Sequence, residues 1–282
     1  ERYVKANKLQ EPKEWQDLAG AAYFDHVSIA APSRSGTTHL TIETILQGDG
    51  WDKGWATIKA MAGNFRDVTE RSFGVPEAVN SGQVGYGIVI DFFAFSSQAS
   101  GFPVKFVYPS VTTIVPANVG IVANAPNKAG AEAFVEFLLS PAGQQILFDP
   151  SIRRLPVNPA VYDKAPAGYP NPFKDPRLNG MVKFDVKTSE TRTNIVDALF
   201  DQMITFQLAD LKQATKAVQT AEAALAKKAN ADAQKLLTEA RMLIAAMPVS
   251  EADASSKETA GAFTGAKEKG ARQAELEQKW SA

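Results

Sequence analysis

Apolar positions up to Leu147 form short continuous runs that alternate with stripes at helical spacing. The runs, rich in β-branched and aromatic residues, predict strands over 26–32, 66–72, 84–95, 102–109 and 112–122. The stripes predict helices over 35–48, 51–63, 75–82 and 127–147, three of which end at or beside a glycine. Strands that alternate with helices in this way predict an α/β fold with a mostly parallel sheet.

The chain changes character after Ser189, where it becomes alanine-rich and contains neither proline nor glycine until Pro248. A break near Asn230 predicts two antiparallel helices in this part. Ser250 begins a segment with the spacing of a helix N-cap, and a final helix is expected to end near Trp280. The preceding stretch, 149–180, is rich in proline and predicts an ordered loop.

Composition narrows the class of protein. The chain has 282 residues, of which 45% are apolar and 22% charged, with a formal net charge of −1. These values are typical of a globular protein with two domains or one large one, and the balanced charge predicts no nucleic-acid partner. Cysteine is absent, which excludes disulfides and thiol chemistry. No apolar run reaches the roughly 18 residues that a membrane span requires.

Ser35 and His39 raise the question of catalysis, because residues four apart share one face of a helix. The sequence contains no G-x-S-x-G elbow, no H-E-x-x-H and no glycine-rich phosphate loop or dinucleotide fingerprint. We therefore expect a protein that is not an enzyme, with hydrolysis of a phosphate ester as the minor alternative.

An anion site is the stronger interpretation of the segment "PSRSGTTH". A strand that leads through a Ser-Gly-Thr turn into a helix presents unpaired backbone N–H groups, and the helix dipole favours an anion there. The alternative is that Ser35 is an ordinary N-cap. His39 fits packing better than ligand contact, although it could supply a donor. The candidate ligand-binding residues in this segment are Ser33, Ser35, Gly36, Thr37, Thr38 and His39.

A second helix N-terminus is predicted after "ERSFGVP", where Ser72 ends a strand. N-termini that follow neighbouring parallel strands meet at the carboxyl edge of the sheet, where ligands bind in open α/β folds. Asp91 at the end of an apolar run is costly to bury unpaired. It is either held by structural hydrogen bonds or exposed to accept from a ligand amine or hydroxyl. The candidates added here are Ser72, Phe73, Gly74, Val75, Asp91 and Phe92.

The order of several segments resembles the extracellular solute-binding proteins of ABC importers, in particular the ferric-binding-like cluster. The segments are "EPKEWQDLA", "VSIAAPSRSGTTH", "VNSGQVGYGIVIDFF", "ANVGIVANAPNKAGAEAFVEFLLSPAGQQIL" and "RRLPVNPAV". This resemblance implies a type II periplasmic-binding fold whose two lobes close on the ligand about a hinge. It also implies that the turn of Ser35, Gly36 and Thr37 holds an anion.

Ferric-binding members of the cluster carry two adjacent tyrosines where this chain has Phe92 and Phe93. Phenyl rings cannot ligate a hard cation, so the resemblance disfavours iron and leaves an anion cradle beside Asp91 and aromatic walls. The nearest members by this reasoning bind hexose phosphates or 2-aminoethylphosphonate. We expect no cofactor and no metal.

The resemblance also predicts the domain organisation. Residues 1–108 are expected to form a complete ligand-binding lobe, and residues 109–190 the hinge return with the remaining part of the other lobe. A segment expected before Glu1, the first part of that other lobe, is missing from this sequence. Residues 191–282 form a helical extension that we expect to pack on the same lobe as 109–190.

The predicted function is that of an extracytoplasmic receptor for a small solute that bears phosphate or phosphonate. Its expected partners are that solute and an ABC permease in the inner membrane, and we expect a monomer located in the periplasm or anchored outside the cell. Two alternatives of the same fold remain open. One is a ferric-iron receptor, and the other is a periplasmic sensor whose helical extension engages a signalling receptor.

Overall fold

The computed structural model of the protein describes residues 1–176, 178, 182–263 and 270–281. A small parallel sheet lies at its centre, with β1 (Val27–Ala30) between β2 (Phe65–Thr69) and β3 (Tyr86–Gly87). Val27 lies opposite Phe65 on one side and Tyr86 on the other. All of β1 is buried, as expected for a central strand that is covered on both faces. The predicted α/β fold with a parallel sheet is confirmed.

Helices account for most of the remaining regular structure. Before residue 148 they are α1 (Arg2–Ala6), α2 (Gly36–Asp49), α3 (Trp51–Ala62), α4 (Gly74–Asn80), α5 (Asp91–Ala99), α6 (Lys128–Leu139) and α7 (Pro141–Ile146). After it they are α8 (Val186–Phe200), a π-helical turn (Asp201–Thr205), α9 (Leu208–Lys227), α10 (Ala231–Ala245), α11 (Glu251–Ala254), α12 (Lys257–Ala262) and α13 (Ala271–Ser281). Short 3₁₀ turns cover Trp15–Ala19, Ala21–Tyr23, Pro32–Arg34 and Pro159–Lys164. The predicted helices after β1 and after residue 51 are confirmed, as is the break at Asn230, which caps α10.

One hydrophobic core fills the space between the sheet, α2, α3 and α8. Its largest fully buried side chains include Trp55, Phe65 and Phe200, and helix α8 contributes Ile195 and Leu199 as well. We call the residues around this core, 1–108 with 186–263 and 270–281, the body. We call residues 109–176 the second region.

The C-terminal helices belong to the body. Helix α8 packs on α2, and α9 and α10 pack on α3. Trp280 of α13 lies in the main core, stacked on Phe263 with ring centroids 5.3 Å apart. We expected the extension to pack on the lobe that contains 109–190, and these contacts correct that expectation. The cause is the apolar face of α8, which completes the core of the first lobe.

A buried ion pair fixes α8 against α2. Arg192 donates from Nε and Nη2 to the two carboxylate oxygens of Glu43, at 2.8 and 3.0 Å. A third bond runs from its Nη1 to Glu251 at 2.5 Å. Both Arg192 and Glu43 are almost completely buried, so each charge depends on the other for compensation.

Three strand predictions are wrong or shorter than expected. The run 84–95 forms only the two-residue β3, and the chain then turns into α5 at Asp91. Pairing with β1 stops at Ser28 and Gly87, although β1 continues to Ala30. Asp91 in the first turn of α5 accepts the backbone N–H of Phe92 at 2.7 Å, and an acidic residue there favours a helix start. The segments 102–109 and 112–122 are not strands, because no described segment pairs with them.

The helix predicted over 127–147 is interrupted at Ser140. Pro141 has no N–H for the helical ladder and restricts the residue before it, so α6 ends and α7 begins there. The Ser140 hydroxyl accepts the backbone N–H of Gly143 at 3.1 Å and caps α7. The second region has a small core of its own, formed by Phe148, Val161 and Tyr162.

The chain crosses between the body and the second region at two adjacent places. At the first crossing, Trp15 donates from Nε1 to the carbonyl oxygen of Val111 at 2.8 Å. At the second, Val182 donates its N–H to the carbonyl oxygen of Thr112 at 3.3 Å. Gly48 lies between them, since a Cβ built there would approach Val111 Cγ1 to 2.6 Å and Val182 Cγ2 to 2.8 Å. A side chain at position 48 would therefore force the Val111 and Val182 side chains to move.

Candidate anion-binding site

Ser35 is the N-cap of α2. Its Oγ accepts the backbone N–H of Thr38 at 3.1 Å and the Thr38 hydroxyl at 3.0 Å, and the residue is 3% exposed. The hydroxyl is thus fully engaged within the protein, which is the structural role that the sequence left open. The backbone N–H groups of Gly36 and Thr37 donate to no acceptor in the described part of the chain, as is usual in a first helical turn. The capacity to bind an anion lies in these two amides.

The N-termini of α2 and α4 meet, as the order of the strands predicts. Ser35 Oγ lies 2.6 Å from Ser72 Oγ, so the turn after β1 is hydrogen-bonded to the turn after β2. Both turns follow parallel strands and lie at the carboxyl edge of the sheet. This contact fixes the position of the α2 amides relative to the second turn.

Asp91 is held at the first turn of α5 by two hydrogen bonds. Oδ1 accepts the Phe92 N–H, and Oδ2 accepts the Tyr108 hydroxyl at 2.7 Å. Burial, followed by the adjacent Asp91 charge, raises the pKa of Tyr108 well above its usual value. Tyr108 therefore keeps its proton at neutral pH and donates it to this carboxylate.

A row of aromatic rings extends from the start of α4 to Arg154 of the second region. Phe73 contacts Phe93 edge to face with ring centroids 5.1 Å apart, and Phe93 contacts Phe92 at 4.5 Å. Arg154 completes the row, with its guanidinium carbon 3.6 Å from the centroid of the Phe92 ring. The geometry is that of a cation–π contact.

A large cavity lies beside these residues. It has a volume of about 1320 Å³, and Thr37, Asp91 and Arg154 are among the residues that line it. The cavity is bounded by residues of both the body and the second region. The first turn of α2, the Asp91 carboxylate and the Arg154 guanidinium therefore border the same solvent-accessible space.

The remaining predicted site residues have different exposures. Ser33 is exposed in the turn before Ser35, and Phe73 is exposed at the start of α4. Thr38 and Val75 are buried, Val75 completely, and Gly74 packs against Thr69. The predicted set as a whole stays a prediction; of its members, Thr37 and Asp91 line the cavity.

The His39 side chain joins α2 to α8 and makes no hydrogen bond to the Ser35 hydroxyl; the two residues are linked only through the His39 N–H and the Ser35 carbonyl oxygen, at 2.9 Å. Its Nδ1 lies 2.8 Å from Asp197 Oδ1, and its Nε2 lies 3.1 Å from Ser189 Oγ and 3.4 Å from Thr193 Oγ1. Ser189, His39 and Asp197 thus have the connectivity of a catalytic triad. Ser189 and His39 are buried, and none of the three lines the cavity. Their geometry suits hydrogen bonding between two packed helices.

Sequence reasoning did not assign Arg153 and Arg154 to the site. Arg153 stacks on Phe95, with its guanidinium carbon 4.7 Å from the ring centroid. The usable signal was the pair of adjacent arginines in "RRLPVNPAV", a loop whose residues 150–162 contain no acidic side chain. Which aromatic faces they contact depends on the tertiary fold.

No group of three or more histidine, aspartate or glutamate side chains in the described ranges is arranged to hold a metal ion. Likewise, none of the described helices combines the length and apolar character that crossing a membrane requires.

Comparison with known proteins gives one relative named for transport and one without a functional name. The phosphoglycerate transport regulatory protein PgtC of Salmonella typhimurium is 34% identical over 255 residues, which cover 90% of this chain and 60% of that protein. An uncharacterized protein of Haemophilus influenzae is 28% identical over 151 residues, 52% of this chain and 42% of that protein. The chain thus spans about 60% of the length of the first of these curated relatives.

Two solved structures share the fold. The periplasmic binding protein P5PA aligns with a TM-score of 0.55 at 22% identity, over 70% of this chain and 62% of that chain. The periplasmic binding protein AfuA of Actinobacillus pleuropneumoniae, with exogenous fructose-6-phosphate bound, aligns with a TM-score of 0.54 at 22% identity. The alignment with AfuA covers 71% of this chain and 63% of that chain. The predicted periplasmic-binding-protein fold is confirmed by both.

The sequence profile of one family matches residues 2–182, which include the sheet, the turn at Ser35 and the "RRLPVNPAV" loop. On this match, the chain belongs to the bacterial extracellular solute-binding protein family.

Proposed function

We propose that the protein is an extracytoplasmic receptor that binds a small organic solute bearing a phosphate or phosphonate group and presents it to an ABC permease. The observation that carries this proposal is the first turn of α2. Its Gly36 and Thr37 amides have no acceptor in the described part of the chain, and Thr37 lines the large cavity. A helix N-terminus in this state favours an anion through its dipole and its unpaired donors.

The comparisons support a phosphorylated solute. One relative is named for phosphoglycerate transport, and one structural neighbour was solved with fructose-6-phosphate. In our proposal the phosphate occupies the α2 turn, and Asp91 accepts a hydrogen bond from a hydroxyl or amine of the same solute. The lobe boundaries at residues 108 and 190 belong to the proposal, with the solute enclosed between the lobes.

The test separates the α2 amides from the rest of the site by a matched pair of variants. Gly36→Pro removes one N–H donor at the first helical position, where proline is favoured and the extended Ser35 before it is compatible. Gly36→Ala keeps the N–H, and a Cβ at that position meets no atom within 4 Å. Thermal shift and calorimetry with 3-phosphoglycerate, hexose 6-phosphate and 2-aminoethylphosphonate give the affinities.

We expect at least one of these solutes to raise the melting temperature, because a ligand that binds only the folded state stabilises it. Gly36→Pro should weaken binding by about tenfold or more, as loss of a charge-assisted hydrogen bond does. Gly36→Ala should bind like the unmodified protein. The proposal fails if no phosphorylated solute binds, or if the two variants bind equally well. Release of inorganic phosphate that depends on Ser35 would instead favour hydrolysis.

A sensor is the second candidate, and one observation favours it. The relative named as a regulatory protein matches 255 residues, so the similarity extends past residue 182 into the helical extension. In this version the same solute binds the same cavity, and α9 with α10 engages a signalling partner. Replacing the exposed Leu236, Met242 and Leu243 of α10 by serine keeps the buried face of that helix. These changes would leave solute transport intact in a receptor for import but would abolish the response in a sensor.

A further inference from the structure

Arg154 and Arg153 form a pair of cationic side chains beside the cavity, in addition to the amides of the α2 turn. We propose that Arg154 binds a carboxylate of the same solute whose phosphate occupies the α2 turn, and that Arg153 supports it electrostatically. The solute class is then a small phosphorylated hydroxy acid. This inference rests on the proposed function, since it assigns the second acidic group of that solute.

The stacking of Arg154 leaves its donors available. The guanidinium lies 3.6 Å above the Phe92 ring, so one face of the planar group is covered while its N–H bonds point outward in the plane. Arg154 forms no ion pair with a carboxylate in the described ranges, and it lines the cavity. A planar fork of this kind matches the geometry of a carboxylate in two parallel hydrogen bonds.

The turn that presents the two arginines is fixed before any ligand arrives. Arg153 has a left-handed backbone with φ of 41°, which is costly for a residue with a side chain. Its N–H donates to Asp149 at 2.8 Å, and the Arg154 N–H donates to Leu147 at 3.1 Å. The Tyr169 hydroxyl donates to the carbonyl oxygen of Arg154 at 2.8 Å. These bonds hold a strained conformation that places both guanidinium groups on aromatic rings.

Arg153 adds positive charge from a less accessible position. Its guanidinium carbon lies 4.7 Å from the centroid of the buried Phe95 ring and 5.8 Å from that of Tyr169. Like Arg154, it has no carboxylate partner in an ion pair within the described part of the chain. Two uncompensated cations in adjacent positions favour an acidic group over a neutral one at this end of the cavity.

Asp91 limits which solute groups can lie between the proposed phosphate position at the α2 turn and the proposed carboxylate position at Arg154. Its carboxylate already accepts the Phe92 N–H and the Tyr108 hydroxyl, and it repels a second acid placed directly against it. A hydroxyl next to Asp91 can donate to it without this repulsion. A solute that carries a phosphate, a hydroxyl and a carboxylate offers one group to each of the three, whereas a sugar phosphate leaves Arg154 without an acid.

The experiment compares two solutes that differ in the carboxylate alone. Calorimetry on the protein measures binding of 3-phosphoglycerate and of glycerol 3-phosphate, with the variants Arg154→Gln and Arg154→Lys. Arg241→Gln is the matched control, because Arg241 is an exposed arginine on α10 whose partner is Glu222. Melting of each ligand-free variant checks that it is folded.

We expect Arg154→Gln to weaken 3-phosphoglycerate by about tenfold or more and to change glycerol 3-phosphate by no more than about twofold. Arg154→Lys should fall between, because it keeps the charge but loses the planar fork. Arg241→Gln should change neither solute.

The inference is overturned if both solutes bind the unmodified protein equally, or if Arg154→Gln weakens both by the same factor. In either case phosphate binding at α2, and with it the proposed function, still stands. If neither solute nor the other phosphorylated compounds bind the unmodified protein, the proposed function fails and the carboxylate subsite fails with it.

Discussion

The body and the second region contain similar apolar patterns but bury them to different extents. In the body, Phe65 is completely buried, and helices α2, α3 and α8 direct their apolar faces into one core. In the second region, α6 has an amphipathic sequence but no buried residue, and its Phe134 is 60% exposed. A helix with an apolar face of this kind normally packs that face against another surface. The difference shows that the stability of the body comes from its own contacts, whereas the second region leaves much of its apolar surface unused.

The tryptophans make this comparison measurable. All four lie in the body, Trp51, Trp55 and Trp280 within its core and Trp15 packed against it. Three of them therefore report unfolding of the body alone, whereas Trp15 also responds to the second region through its hydrogen bond to Val111.

The largest expected difference is between two phenylalanines. Phe65→Ala should lower the free energy of unfolding by about 4 kcal/mol, because it opens a cavity in a close-packed core. Phe134→Ala should change it by less than about 0.5 kcal/mol, as is usual for an exposed position. Urea titration followed by tryptophan fluorescence measures both. A comparable loss in the two variants would show that α6 is covered and would remove the distinction between the regions.

The buried ion pair gives the next largest effect. Arg192→Met keeps much of the side-chain volume but leaves Glu43 buried without its partner, which should cost about 3 kcal/mol. The matched variant Arg241→Met removes an exposed pair with Glu222 and should cost about 0–1 kcal/mol. The same urea titration applies. If Arg192→Met were neutral, the ion pair between α2 and α8 would make no net contribution to the stability of the body.

The helix caps allow a finer comparison. Ser35→Ala should lower the stability of the body by about 1–2 kcal/mol, because it removes the cap of α2 and the bond to Ser72. Asn127→Ala removes the equivalent cap of α6, where Asn127 accepts the Gly130 N–H at 3.0 Å. This second variant should leave the tryptophan transition unchanged. Amide hydrogen exchange should show faster exchange in α6 alone, and equal effects on both transitions would mean that the regions unfold as one unit.

The smallest expected effect is a change in the melting temperature of the body with pH. Hydrogen bonds from the Thr188 hydroxyl and backbone lower the pKa of Asp185, the cap of α8. A lowered folded-state pKa means that the stabilisation is present above the unfolded-state pKa of about 3.9 and is lost as the pH falls through the folded-state value. The melting temperature of the body should therefore decrease below about pH 4, and less so in Asp185→Asn.

The matched acidic residue in the second region is Asp149. The Ser151 hydroxyl and its backbone N–H lower the pKa of Asp149, as Thr188 does for Asp185. Asp149→Asn should leave the acid transition of the tryptophans unchanged. If it moved that transition as much as Asp185→Asn does, the two regions would be coupled in stability.

The helices and the first strand could largely be predicted from the sequence, whereas the strands expected over 84–95, 102–109 and 112–122 could not. Strand β1 and helices α2 and α3 have local signals, namely a buried run, the Ser35 cap and the glycines at 48 and 50. The segment 112–122 has an equally apolar sequence, yet whether it becomes a strand depends on a partner for its backbone, which sequence pattern does not reveal. The same limit applies to the candidate site. The turn at Ser35 could be predicted, whereas the stacking of Arg154 on Phe92 depends on contact between distant parts of the chain.

Gly48 bears on any motion between the two regions. A Cβ at this position would meet Val111 of one crossing and Val182 of the other, and the Val182 N–H bond to Thr112 holds the crossings side by side. If the regions rotate against each other, as the proposed function requires, the crossings beside Gly48 must absorb the rotation, and displacement would be largest at the far walls of the cavity. A side chain at position 48 would alter the packing of the crossings, although this position lies outside any contact proposed for the solute.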